Sequence, residues 1–241
     1  MYTDFYSEDK CLGSVCMING KNAYGVFSAD LKEIKPVAGE ITVDFGKALG
    51  LSSLQVFGYE MAVSGIVATF YVGGAQKEDC FINTSNLISE CKDCIIKTSD
   101  DNFEYVAVLT SYNVIETGVE FFNEVALTFG VIKRFPLITV SFEAGNGIFK
   151  NVGNVQSGMR LTIVPKSAIS SMIVNGITVK NLEPNYPFII DGLSGEVKCN
   201  GINRFLDTDL IEFPKVKQGD NVITSSANVS IEVSYYPTFI V

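Results

Sequence analysis

A chain of 241 residues with 47% hydrophobic content, 21 glycines and 7 prolines carries enough apolar surface for one large or two modest cores, which argues against a disordered protein. Its 18 basic and 27 acidic residues leave a net charge of −9 with no basic cluster, so no sequence-specific nucleic-acid binding is expected. Histidine is absent, which removes Ser-His-Asp and Cys-His nucleophiles, imidazole metal ligands and the usual base near neutral pH.

In chain order, the opening MYTDFYSEDK is polar and acidic, without the basic and apolar stretches of a secretory signal, and predicts a protein assembled in a cytoplasm. MINGKNAYGVFSADL then predicts a strand pair turning at Asn19-Gly20. Ile41, Val43 and Phe45 share one parity and predict a strand with one buried face. GIVATFYVGG is the longest apolar run, yet it is strand-sized and well short of the roughly 20 residues of a membrane helix, so no membrane insertion is expected. Cys80, Thr84, Leu87, Ile88 and Cys91 share one helical face and predict a helix from about Lys77 to Cys91. Val119, Phe121, Val125, Leu127, Phe129 and Val131 return to strict alternation, in a strand long enough to project beyond a domain body.

After Phe135-Pro136 the runs shorten and turn residues multiply, which places a boundary near Leu137 and divides the chain into domains 1–137 and 138–241. Asn175-Gly176, Asp191-Gly192 and Asn200-Gly201 predict two-residue hairpin turns, and Val229, Ile231, Val233 and Tyr235 a closing strand. The expected fold is mainly β, with a helix in the first half.

Three groups of residues invite a chemical reading. Cys91-Lys92-Asp93-Cys94 is a C-x-x-C, but it sits at the C-terminal end of the predicted helix, whereas a thioredoxin-type site needs the N-terminal end. Joined with Cys11 and Cys16 it makes a formal four-thiolate zinc set, although CLGSVC is not a tight knuckle; with Cys80 and Cys199, these thiols read as buried and reduced. Asp191, Glu196, Asp207, Asp209, Glu212 and Asp220 crowd one stretch, but DTDLIE lacks the glycine and third ligand of a calcium loop, and sequence cannot supply the carboxylate separation of a glycosidase. The acids read as solvated loop and edge residues. Gly145, Gly147, Gly153 and Gly158 are not followed by the lysine and helix of a phosphate loop, and read as a flexible loop opening the second domain. No catalytic, cofactor-binding or metal residue is assigned.

Order and turn spacing bring in a family. In the first half, MINGKNAYGVFSADL, the strands ITVDFGKALG and GIVATFYVGG, the helix, and a long hairpin from Phe103 to Lys133 follow one another. In the second half come FIIDGLSGEVKCNGINRF, LIEFPKVKQGDNVI and VSIEVSYYPTFIV. This series resembles the distal tail proteins of bacteriophages with long non-contractile tails. The resemblance implies an N-terminal α+β ring-forming domain of antiparallel sheets, one helix and a long hairpin. It also implies a C-terminal β-sandwich like galectins and carbohydrate-binding modules. A non-enzymatic homohexameric ring in the virion tail tip or baseplate is further implied, between the tail tube protein and the tail-hub protein, with receptor-binding or baseplate proteins around its rim. Residues 119–133 and the KTSDDNFEY segment are the implied intersubunit contacts. A cell-wall glycan is a second possible partner, through aromatics such as Tyr186 and Phe205, and the ring protein of a contractile tail or phage-derived bacteriocin is an alternative setting.

Overall fold

The computed structural model describes residues 15–37, 64–119, 121–143 and 145–239, together with the backbone of 41–46 and 55–61. The described residues form two compact units, the first ending at Lys133 and the second running from Arg134 to Phe239. The architecture is mainly β and antiparallel.

The first unit contains β1 (Cys16–Ile18), β2 (Lys21–Asn22), α1 (Ala23–Phe27), β3 (Ala29–Val37), β4 (Ile41–Gly46), β5 (Gln55–Met61), β6 (Ser64–Gly73), α2 (Lys77–Glu90), β7 (Asp93–Thr98), β8 (Glu104–Glu116) and β9 (Phe122–Arg134). Its main sheet runs β2-β1-β7-β8-β9-β6-β3, and β4 and β5 pair with each other. Most of the 65–74 run lies in β6, where Ile66, Ala68, Thr69, Phe70, Val72 and Gly73 are buried because β3 and β9 flank the strand. Helix α2 turns Cys80, Thr84 and Leu87 inward, and Cys91 caps it, as the helical spacing predicts. Leu87 packs with Ile18, Phe27, Leu31, Phe70, Ile96, Leu127 and Phe129 in one core. Each such side chain contributes about 1.5–3 kcal/mol on burial.

The expected early strand pair holds a second helix. The Asn22 side chain accepts hydrogen bonds from the Tyr24 and Gly25 N–H groups, and Ser28 closes α1 with a left-handed φ of 49°. Five residues are too few to display a helical period, so only the Asn cap announces the turn.

The second unit contains β10 (Ile138–Phe142), β11 (Gly147–Asn151), β12 (Ser157–Val164), β13 (Ile169–Val174), β14 (Ile177–Leu182), β15 (Phe188–Asp191), β16 (Glu196–Cys199), β17 (Ile202–Asn203), β18 (Lys215–Val216), β19 (Gly219–Ile223), β20 (Ser230–Tyr235) and β21 (Thr238–Phe239). One layer has the order β10-β20-β12-β15-β16-β17. The pairs β11–β19 and β13–β14 form the other, and are joined by a Val174–Ser225 bridge and the Asn175 N–H donating to the Thr224 carbonyl. Phe149, Ile223, Met172, Val174 and Val179 of this second layer share a core with Leu161, Ile163, Phe188, Ile190, Ile231 and Val233 of the first. That arrangement is a β-sandwich. The Tyr235 hydroxyl donates to the Lys150 carbonyl at 3.2 Å and ties the layers together.

Asn19-Gly20, Asn175-Gly176 and Asn200-Gly201 have positive φ at both residues and make two-residue hairpins. Asp191-Gly192 does not. Asp191 pairs with Glu196, so the loop holds four residues and its positive φ falls on Gly195. Gly192 serves close packing instead, since a β-carbon there would lie 2.6 Å from the Pro214 carbonyl oxygen. The supposed glycine loop also differs from expectation: 147–151 is strand β11, paired in full with β19, and a β-carbon at Gly147 would meet the Phe142 ring at 2.0 Å.

Candidate functional site

The acidic stretch resolves into separate local contacts. Asp191 is buried, a correction to its reading as a solvated acid. Its Oδ2 accepts from Arg160 Nε at 2.8 Å and pairs with Nη2 at 2.7 Å, while Oδ1 accepts from the Leu193 N–H at 2.9 Å. Burial pushes its carboxyl up, but Arg160 and the turn N–H groups outweigh this and hold it below the ordinary value. Asp207 pairs with Arg204 at 2.6 Å and accepts from Asn181, and Asp209 accepts from the Thr178 N–H at 2.6 Å. Glu196 pairs with Lys198 and Glu212 with Lys215, while Asp220 is exposed on β19. Asp191, Glu196, Asp207, Asp209 and Glu212 are engaged in turns and ion pairs of the sandwich.

Cys16, Cys80, Cys91, Cys94 and Cys199 are free thiols and buried; Cys11 lies outside the described residues. Burial pushes the Cys16 thiol up to about 12. Among the described residues, no group of three or more Cys, Asp or Glu is arranged to hold a metal ion. A cavity of about 320 Å³ in the first unit is lined by residues including Lys32, Glu33, Asp101, Tyr105 and Lys133. These groups are already engaged, Lys32 with Glu124, Glu33 with Lys35 and Asp101 with the Tyr105 hydroxyl.

The surface that stands apart is the long hairpin. Strand β7 covers β8 only from Glu104 to Val108, and the Leu109 N–H then donates to the Lys92 carbonyl. From Thr110 to Glu116, among the described residues, β8 has β9 on one edge and no strand on the other. All seven of these residues are exposed, and they include Tyr112, Val114 and Ile115. Tyr112 and Val114 lie on one face and Ile115 on the other. Apolar groups on both faces of a strand with an open edge are the features of a pairing surface.

Val119 and Phe121 were expected to continue the buried parity of β9, and the structure corrects this. Both are exposed in the connecting turn, where Gly118 takes φ 79° and Thr117 Oγ1 donates to the Phe122 carbonyl at 2.7 Å. Burial begins at Val125 and continues through Leu127, Phe129 and Val131.

Strand β9 is anchored within its own unit beside the hairpin turn as well as at the base of the hairpin. Lys32 reaches Glu124 at 3.1 Å and lies 4.9 Å from the Tyr71 ring, which stacks on Phe122 at 5.3 Å. On the other side, Lys133 sits 4.0 Å over Phe103 and 5.3 Å from Tyr105. The KTSDDNFEY segment therefore fixes the base, since Asp101 also accepts from the Phe103 N–H at 3.0 Å. These long-range partners carry no local sequence signal.

Over 95% of its length the chain is similar to the whole of the SPP1 Dit (gp 19.1) protein, with a TM-score of 0.74 at 13% identity. It has the fold of the SPP1 Dit protein. That protein is described as a paradigm of the hub adsorption apparatus in phages that infect Gram-positive bacteria. The chain is also similar, with a TM-score of 0.52, to a chain of the phage P2 baseplate in its activated conformation with calcium; the identity is 10%, over 86% of this chain and 90% of that one. The strontium form of that baseplate gives the same values. No protein-family model and no curated protein matches the sequence.

In the second unit, Tyr186 and Phe205 are both exposed, with Leu206 and Ile211 exposed nearby in sequence. Among the described residues no helix is long and apolar enough to cross a membrane.

Proposed function

We propose that this chain is a non-enzymatic structural component of a phage tail tip or baseplate, forming a homohexameric ring that joins the tail tube to the tail hub and the receptor-binding apparatus. The observation that carries this reading is the likeness to SPP1 Dit across 95% of the chain. The uncovered edge of β8 supplies the physical means, because an open edge docking on a different surface of the next copy is a head-to-tail contact, and such contacts make a ring when the rotation between copies closes. Assembly takes place in the host cytoplasm, and the mature location is the virion tail. The parts 1–137 and 138–241 act as ring-forming and outer domains. Light scattering and negative-stain averaging of the purified chain, alone and with tail proteins, test the proposal. A ring of six 26.2 kDa subunits is expected; a strict monomer at high concentration that binds no tail protein overturns it.

A second reading, glycan contact by the second unit, is favoured by the exposure of Tyr186 and Phe205. Binding of the full chain to host wall polysaccharides, lost in Tyr186→Ala or Phe205→Ala, supports it, and silence across those polysaccharides removes it.

A further inference from the structure

The C-x-x-C of the first unit is unused by a structural ring, yet its geometry is specific. Helix α2 ends at Glu90, Cys91 caps it with φ −81° and ψ 0°, and β7 begins two residues later at Asp93. The chain reverses within this turn, so that Cys94 Sγ donates to the Cys91 carbonyl at 3.7 Å. Both are buried, at 0% and 2% exposure, and both sit in the core formed by α2 and the sheet. Cys80 and Cys199 are placed differently: Cys80 Sγ donates to the Val72 carbonyl and Cys199 belongs to the second unit.

We propose that Cys91 and Cys94 are a redox-active dithiol that closes to a disulfide when the protein meets a small disulfide oxidant such as oxidised glutathione. The inference is independent of the ring. The neighbouring Cys91 thiol holds Cys94 below its ordinary value, while Cys94 and burial hold Cys91 above its own. Cys94 is therefore the attacking thiolate. Its sulfur displaces one thiolate from the oxidant, giving a mixed disulfide. Cys91 then loses its proton and attacks the Cys94 sulfur, releasing the second thiolate. Two protons leave the protein, two electrons pass to the oxidant's S–S bond, and that bond becomes two thiols. Both cysteine sulfurs are buried, so exchange waits on opening of the Cys91–Lys92–Asp93 turn, and closure is slow. The product ties the end of α2 to the start of β7, which are joined at present by weaker hydrogen bonds.

The test uses the full chain, purified reduced and equilibrated over a series of reduced-to-oxidised glutathione ratios. Free thiols are then alkylated under denaturing conditions and the peptides mapped by mass. The expected result is a peptide carrying Cys91 and Cys94 that is 2 Da lighter than its dithiol form and takes up no alkyl group. Cys16, Cys80 and Cys199 remain alkylated at the same ratios, and amide exchange of residues 88–95 slows in the oxidised protein. Double alkylation of Cys91 and Cys94 at every ratio, a persistent glutathione adduct, or a bond from either residue to another cysteine overturns the proposal. The wild-type map decides the matter even where Cys91→Ser or Cys94→Ser fails to fold.

Discussion

Strands β8 and β9 are both 13 residues long, lie side by side and are similarly rich in β-branched and aromatic residues, but β9 feeds the core along most of its length and β8 only near its start. β9 is flanked by β6 along Phe122–Val131 and buries Val125, Leu127, Phe129 and Val131. β8 loses its second neighbour after Val108, and from Thr110 to Glu116 its residues are all exposed. Propensity made both strands; cover by a third strand decided which apolar side chains leave water. The uncovered ones are the surface at which the ring proposal places another chain.

The largest expected effect strikes the covered side. Phe129→Ala empties a fully buried site and should lower stability by about 3–5 kcal/mol in denaturant unfolding. A loss under about 1 kcal/mol would mean that β9 is not the core strand it resembles.

The second unit offers the same contrast among carboxylates. Asp191 is buried against Arg160, whose side chain is 41% exposed and partly screened, so Asp191→Asn should cost about 1–3 kcal/mol at neutral pH. The folded carboxyl lies below its ordinary value, so its contribution is present above the unfolded value, near 4, and is lost as pH falls through the folded one. Stability curves of wild type and variant should therefore converge in acid. Asp209→Asn, at an exposed residue, should shift the acid limb little.

A smaller effect is expected at the cap of α1. Asn22→Ala removes the acceptor for two N–H groups and should cost about 1 kcal/mol by thermal unfolding. Smallest of all is Tyr112→Lys with Ile115→Lys, at exposed positions, which should leave monomer stability within about 0.5 kcal/mol of wild type.

Much of this was legible in the sequence, where a periodic signal met a local cause. The face Cys80, Thr84, Leu87 and Cys91 specifies α2, and three Asn-Gly pairs specify their hairpins, because both depend on residues a few positions apart. Misreadings arose where a distant residue decides. Asp191 looked solvated because Arg160, 31 positions away, is silent in local sequence. Gly147 looked like loop until Phe142 and the β19 ladder placed it in a strand. Val119 and Phe121 kept the parity of β9 but fell beyond its end, where Gly118 turns the chain. The open edge of β8 was invisible for the same reason, since exposure there depends on where β7 stops.

The central claim is that the uncovered half of β8 joins copies of this chain. It is tested most directly by the solution mass of wild type and of the Tyr112→Lys, Ile115→Lys variant, measured by light scattering at matched concentration and with thermal unfolding as a control for folding. The expected result is a mass near six times 26.2 kDa for wild type and a folded 26.2 kDa monomer for the variant. A variant that keeps the wild-type ring mass would contradict the account.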